Sequence, residues 1–230
     1  MDFYNSLIKE ALELTQGLPE IDYDYASDNA WRDAGLNQVI LQRDTAYELS
    51  GVGFNLITSS PVKDGVTVIG DELKDIRDNC KFTRVTIVQI DEPEDQQKTY
   101  NLIRKIEYVK YHYFPDGYMI RTSSRSHQEA VRVSKDAVKK GVSFDKVGTL
   151  LINKYKENPA VKGVRVIFIT SQNAEHKTFE AMAQKSNNIT ETLNHVMNSV
   201  NFDCNTCNLK PICDEVEGMK ELHFKNAGMG

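Results

Sequence analysis

The run Val164-Arg165-Val166-Ile167-Phe168-Ile169 is the strongest strand signal in the chain. Residues 45–49, 54–58, 66–69 and 85–90 also read as strands, with Gly51, Gly53, Pro61 and Gly65 marking turns among them. Val131 and Val133 alternate with Arg132 in the manner of a further strand. Helical spacing runs between them. Phe3, Leu7, Ile8, Ala11, Leu12 and Leu14 form an apolar stripe that Gly17-Leu18-Pro19 stops. Another helix, opened by residues 91–97, holds Tyr100, Leu102, Ile103, Ile106 and Val109, and Ser134 and Ser143 are placed to cap helices at 135–140 and 144–156. Helices at 174–185 and 190–198 follow. Strands and helices that interleave irregularly predict an α+β fold: a mixed sheet with packed helices and a C-terminal cysteine-rich metal-binding segment.

Residues 20–33 are acidic and rich in turn formers, and read as linker or loop, with Trp31 an anchor in the core. The organisation expected is an N-terminal helix and linker over 1–37, an α+β domain over 38–200, and the cysteine-rich segment over 201–230. Gly70-Asp71-Glu72-Leu73 reads as a helical turn with acids at its dipole-positive end. The aromatic residues of 108–118 suit a helix end and loop covering the sheet, or a platform for stacking a ligand. Arg121, Arg125, His127, Arg132, Lys135, Lys139 and Lys140 form the most basic stretch, which by spacing alone is a solvated charged face. His176 and His195 have no partner motif and read as surface or satisfied core residues.

A formal net charge of −5 without a long basic run argues against nucleic acid as the partner. The N-terminal stretch has no apolar core of secretory type, and no run reaches membrane-spanning length. A cytoplasmic protein is expected, in which clustered cysteines bind metal rather than form disulfides. Nucleotide-loop, zinc-protease and nucleophile-elbow motifs are absent from the sequence.

Cys204, Cys207 and Cys213 are spaced C-x2-C-x5-C, with His223 beyond them. Asn205, Thr206, Asn208 and Pro211 favour the tight turn that brings two such thiolates to one centre. Spacing of this kind belongs to zinc sites and to iron–sulfur clusters, and reduced thiols without metal are the plain alternative. Cys80 stands alone before a strand and reads as a small buried residue, or as a further ligand.

Three collinear blocks resemble a known family. Gln42-Arg43-Asp44-Thr45-Ala46-Tyr47-Glu48-Leu49-Ser50-Gly51 with Val66-Thr67-Val68-Ile69-Gly70 is similar to the start of the middle domain of acetyl-CoA synthase, the β subunit of the CO dehydrogenase/acetyl-CoA synthase complex. Val131-Arg132-Val133-Ser134-Lys135-Asp136-Ala137 resembles the family's W-V-R-I-S-K-D-A stretch, although Ala130 stands where the family has tryptophan. The cysteine segment falls where the family has Y-G-C-T-L-C and two further cysteines.

The resemblance implies that Cys204, Cys207 and Cys213 hold a [4Fe–4S] cluster, with His223 at the position of the fourth cysteine. The gap from Cys207 to Cys213 is shorter than in the family, the large N-terminal domain of bacterial members has no counterpart, and no C-G-C motif follows. A distal nickel site is therefore not expected from this sequence. The resemblance implies an iron–sulfur protein that docks with, or passes electrons to, a corrinoid protein or other partner in anaerobic one-carbon metabolism. Arg132 and Lys135 are the candidate contacts for CoA or a partner surface. An enzyme acting on a CoA or methyl substrate at an open iron, and a zinc-stabilised interaction module, are the alternatives.

Overall fold

A computed structural model of the chain describes residues 2–91, 96–122 and 128–197. In chain order the elements are α1 (Asp2–Thr15), β1 (Glu20–Asp24), a 3-10 turn at Ser27–Asn29, β2 (Ala46–Thr58), β3 (Gly65–Ile69) and β4 (Cys80–Ile90). There follow α2 (Gln96–Val109), β5 (Tyr118–Thr122), β6 (Gln128–Ser134), α3 (Lys135–Lys139), α4 (Phe144–Lys156), β7 (Val161–Ile169) and α5 (His176–Met197). Among the described residues the strands form one seven-stranded sheet in the order β1-β3-β7-β4-β2-β6-β5. The pairs β2–β4 and β3–β7 are parallel, and the others are antiparallel. This is the mixed α+β arrangement the sequence predicts. The cysteine-rich segment lies outside the described residues. No described helix is long and apolar enough to cross a membrane.

The unbroken apolar runs belong to the middle of the sheet, where both faces are covered. Val85 and Val88, which point to opposite faces of β4, are 1% and 0% exposed. On one face Phe144 of α4 stacks on Phe168 at 4.6 Å and on Phe82 at 6.1 Å between ring centroids. On the other, Thr58 Oγ1 donates to Asn5 Oδ1 of α1, and Thr83 meets His176 of α5. His176 is satisfied core: its Nε2–H donates to Ser171 O at 2.9 Å and its Nδ1 accepts from Thr83 Oγ1 at 3.1 Å. Burial holds its pKa below the ordinary imidazole value.

The caps form as read. Ser134 Oγ accepts from Asp136 N and Ala137 N, and Ser143 Oγ accepts from Lys146 N. Trp31 is half-buried against the core and donates its Nε1–H to Asp116 O at 2.7 Å.

Several readings are corrected. Residues 20–24 are not linker but the edge strand β1, antiparallel to β3. Acidic side chains look loop-like in a sequence, yet an exposed edge accommodates them, and Asp22 pairs there with Arg165 and Thr67. The turn that Glu72 opens does form, with Asp75 N and Ile76 N donating to Glu72 O, but its side chain also serves a helix far along the chain. Its buried carboxylate accepts from Leu73 N, and from Phe144 N and Asp145 N at the start of α4. Burial nonetheless raises its pKa against the pull of those N–H groups. The helices at 174–185 and 190–198 are one helix, α5, and Tyr118 opens a strand rather than closing a loop.

The largest correction concerns Gly51 and Gly53, which mark no turn. They lie inside β2, one continuous strand from Ala46 to Thr58. A Cβ on Gly51 would fall 1.6 Å from the carbonyl oxygen of Phe82 on the adjacent strand. A Cβ on Gly53 would fall 1.9 Å from Glu129 Oε2 and 2.7 Å from Arg84 Nη2. Glycine here makes room rather than turns the chain. Gly51→Ala is therefore expected to destabilise the fold by more than about 3 kcal/mol in urea titration, whereas an exposed turn glycine would lose no more than about 1 kcal/mol. A loss of the smaller size would show that the strand does not run through this position.

Candidate functional site

The structure brings Arg132 and Lys135 to one region, but gives them different tasks. Arg132 lies opposite Glu48 across the β2–β6 pair. Its Nε donates to Glu48 Oε2 at 2.8 Å, and its Nη1 donates to Ile40 O at 3.3 Å. The guanidinium thus ties the irregular segment 38–45 to the sheet, with much of its charge met by Glu48. Lys135 opens α3, its ammonium 4.9 Å from the centroid of the Tyr47 ring. It lines a cleft of about 640 Å³ with residues 38–41, Ser134 and Lys139. Arg121 is exposed on β5 and, by the pairing Met119↔Arg132, shares a face with Arg132. Arg125 and His127 lie outside the described residues, as do Cys204, Cys207, Cys213 and His223.

A second polar assembly, which the sequence reading missed, sits inside the sheet. Arg84 on β4 and Glu129 on β6 form a bidentate pair across the glycines of β2: Nη2 to Oε2 at 2.8 Å and Nε to Oε1 at 3.1 Å. Their side chains are 4% and 3% exposed, so the pair is out of water. Arg84 Nη1 donates to Thr86 Oγ1 at 2.6 Å and to Asn55 Oδ1 at 3.3 Å. Asn55 Oδ1 also accepts from Tyr155 OH at 2.9 Å, while its Nδ2 donates to Glu107 Oε2 at 2.8 Å. Glu107 Oε1 accepts from Lys110, which donates as well to Asn187 Oδ1 on α5.

Burial opposes charge on Arg84 and Lys110, but Glu129 and Glu107 respectively outweigh it and hold both pKa values above the ordinary range. Both cations therefore stay protonated at neutral pH. The chain of hydrogen bonds ends at the floor of a cleft between α2 and α5, lined by Glu107, Lys110 and Asn187. The aromatic stretch divides accordingly. Tyr113 and Tyr118 are buried cover for the sheet, while Tyr108 and Tyr111 are exposed on the cleft. Two signals pointed to the assembly: an arginine in the middle of an apolar strand, and two glycines at alternate positions of its neighbour.

The family described as the CO dehydrogenase/acetyl-CoA synthase complex beta subunit matches residues 38–175, well over half of the chain. No curated protein matches it. The matched stretch runs from the segment that Arg132 holds to the residue before α5, and includes Arg84, Glu107, Glu129 and Lys110.

Within that stretch Cys80 is the sole cysteine, half-buried at the start of β4 and paired in register with Leu49. Burial, with Asp71 adding to it, pushes its thiol up to about 11 from an ordinary 9.0. A thiol so raised is a slow nucleophile at neutral pH. In the native chain at about pH 8, alkylation of Cys80 followed by peptide mass spectrometry is expected to run roughly two orders of magnitude slower than in urea. Equal rates in both states would mean that the thiol is neither shielded nor shifted.

Proposed function

Because the chain belongs to the CO dehydrogenase/acetyl-CoA synthase complex beta subunit family, we propose that it is an iron–sulfur protein that docks with, or passes electrons to, a partner of that one-carbon chemistry. The observation that carries the reading is the match over residues 38–175 followed, in the same chain, by C-x2-C-x5-C and His223. The sheet is then the docking body, and α5 is the last described element before the cysteine segment in the chain.

The donor set suits a [4Fe–4S] cluster. Cys204, Cys207 and Cys213 supply soft thiolates and His223 an imidazole. The same donors suit zinc, and family membership favours the cluster. When bound, the cluster supplies one-electron transfer. A neutral imidazole in place of a fourth thiolate leaves it one unit less negative and favours a higher potential. Lys135 and Lys139 bring cations to the cleft beside residues 38–45, Lys139 with Asp136 at 3.6 Å, while Arg132, tied to Glu48, holds Ile40 of its wall. We assign that cleft to the phosphates of CoA or to an acidic partner surface, a corrinoid protein being the partner that the resemblance suggests.

Anaerobic reconstitution of the full chain tests the reading. About four iron and four sulfide per chain with visible charge-transfer absorption are expected, and Cys207→Ala should lose most of both. Stoichiometric zinc without sulfide would replace the cluster by a structural metal. A Cys207→Ala protein with unchanged iron, sulfide and spectrum would falsify the ligand set.

A further inference from the structure

The helices α2 and α5 meet beside the sheet, and the stripes they turn toward each other are polar. Asn101, Arg104, Lys105 and Tyr108 recur at helical spacing along α2 and line one wall of a cleft of about 530 Å³. Asn187, Thr190, Glu191 and Asn194 line the other wall from α5 at the same spacing. Helices that close on each other present apolar residues to the seam. Facing polar stripes keep a space of ligand size open instead.

The charges in this space are unevenly met. On the floor, Lys110 is neutralised by Glu107, and its bond to Asn187 Oδ1 leaves the amide N–H groups of Asn187 as donors for the cleft. On the rim, Arg104 and Lys105 have no carboxylate within ion-pair distance among the described residues, and one acid, Glu191, faces them. Tyr108 stands 61% exposed beside them, with one ring face stacked on His112 at 4.0 Å between centroids.

We infer that the cleft between α2 and α5 binds a small phosphate monoester, with the phosphate between Arg104 and Lys105 and the hydroxyl- or ring-bearing body along the amide stripe. A dianion matches two neighbouring cations better than a single carboxylate does, and the guanidinium fork suits phosphate oxygens. The amides and hydroxyls of α5 both donate and accept, as a polyol or a heterocycle requires. The pre-formed floor, fixed by the buried network behind it, spares the ordering that binding would otherwise demand.

Calorimetric titration of the full chain at low salt tests this, with glucose 6-phosphate and adenosine 5′-monophosphate as probes and glucose and adenosine as their uncharged counterparts. At least one ester is expected to bind with one site per chain, at least tenfold tighter than its counterpart. Whichever ester binds identifies the body as sugar-like or nucleoside-like. Arg104→Gln and Lys105→Gln should each weaken binding about tenfold, or about 1.4 kcal/mol. Lys105 is exposed and Arg104 half-buried, and neither makes an ion pair among the described residues, so the variants should keep the wild-type unfolding midpoint. The inference is overturned if neither ester outbinds its counterpart, or if the Arg104→Gln/Lys105→Gln double variant binds as well as the wild type.

Discussion

Arg84 carries its positive charge at the centre of the sheet, and much of the surrounding architecture follows from keeping that charge satisfied away from water. An unpaired ion at such depth would cost several kcal/mol even after relaxation, so a counter-ion and further acceptors must converge on it. Glu129 supplies the bidentate contact from β6, on the far side of β2. Its carboxylate must therefore cross the face of β2, which is possible because Gly53 has no side chain in the way. Gly51, one alternation earlier, lets the neighbouring backbone carbonyl of Phe82 approach. The residues that look like chain breaks are thus the ones that let β2 stay continuous beside a buried ion pair.

From Arg84 the polar chain runs outward rather than closing on itself. Asn55 joins three helices to the sheet: Tyr155 of α4 and Glu107 of α2 meet its side chain, and Ser186 of α5 donates to its backbone oxygen at 2.7 Å. Among the described residues the pairing of β2 with β6 ends at Val52, so Ser186 serves a carbonyl beyond that pairing. Glu107, Lys110 and Asn187 then carry the chain to the floor of the α2–α5 cleft. Such networks rigidify when every member is satisfied, and they pre-orient the groups at their end. Among the described residues the cleft between the polar stripes of α2 and α5 is separate from the one walled by residues 38–45 and α3.

What a sequence shows of this depends on which forces act locally. Central strands betray themselves because burial on both faces demands apolar runs such as Val164 to Ile169. The caps at Ser134 and Ser143 are legible because a hydroxyl serves N–H groups two or three residues on. Long-range satisfaction is not legible. The Lys185-Ser186-Asn187-Asn188 stretch looks like a helix break, yet α5 continues through it because Ser186 and Asn187 find partners on β2 and α2. Glu72 likewise serves a helix that starts far along the chain. Of the proposed site, Arg132 and Lys135 were readable through the resemblance, but the Glu48 partner that occupies Arg132 becomes visible once β2 and β6 are in register.

The central claim is that a desolvated ion pair organises the sheet, and a double-mutant cycle on Arg84 and Glu129, read by urea denaturation, tests it most directly. Glu129→Leu alone should cost about 3–5 kcal/mol, because it strands a buried guanidinium. Adding Arg84→Met should recover more than half of that loss, since the stranded charge is then gone. A Glu129→Leu protein within about 1 kcal/mol of wild type, as is usual for exposed ion pairs, would contradict the account.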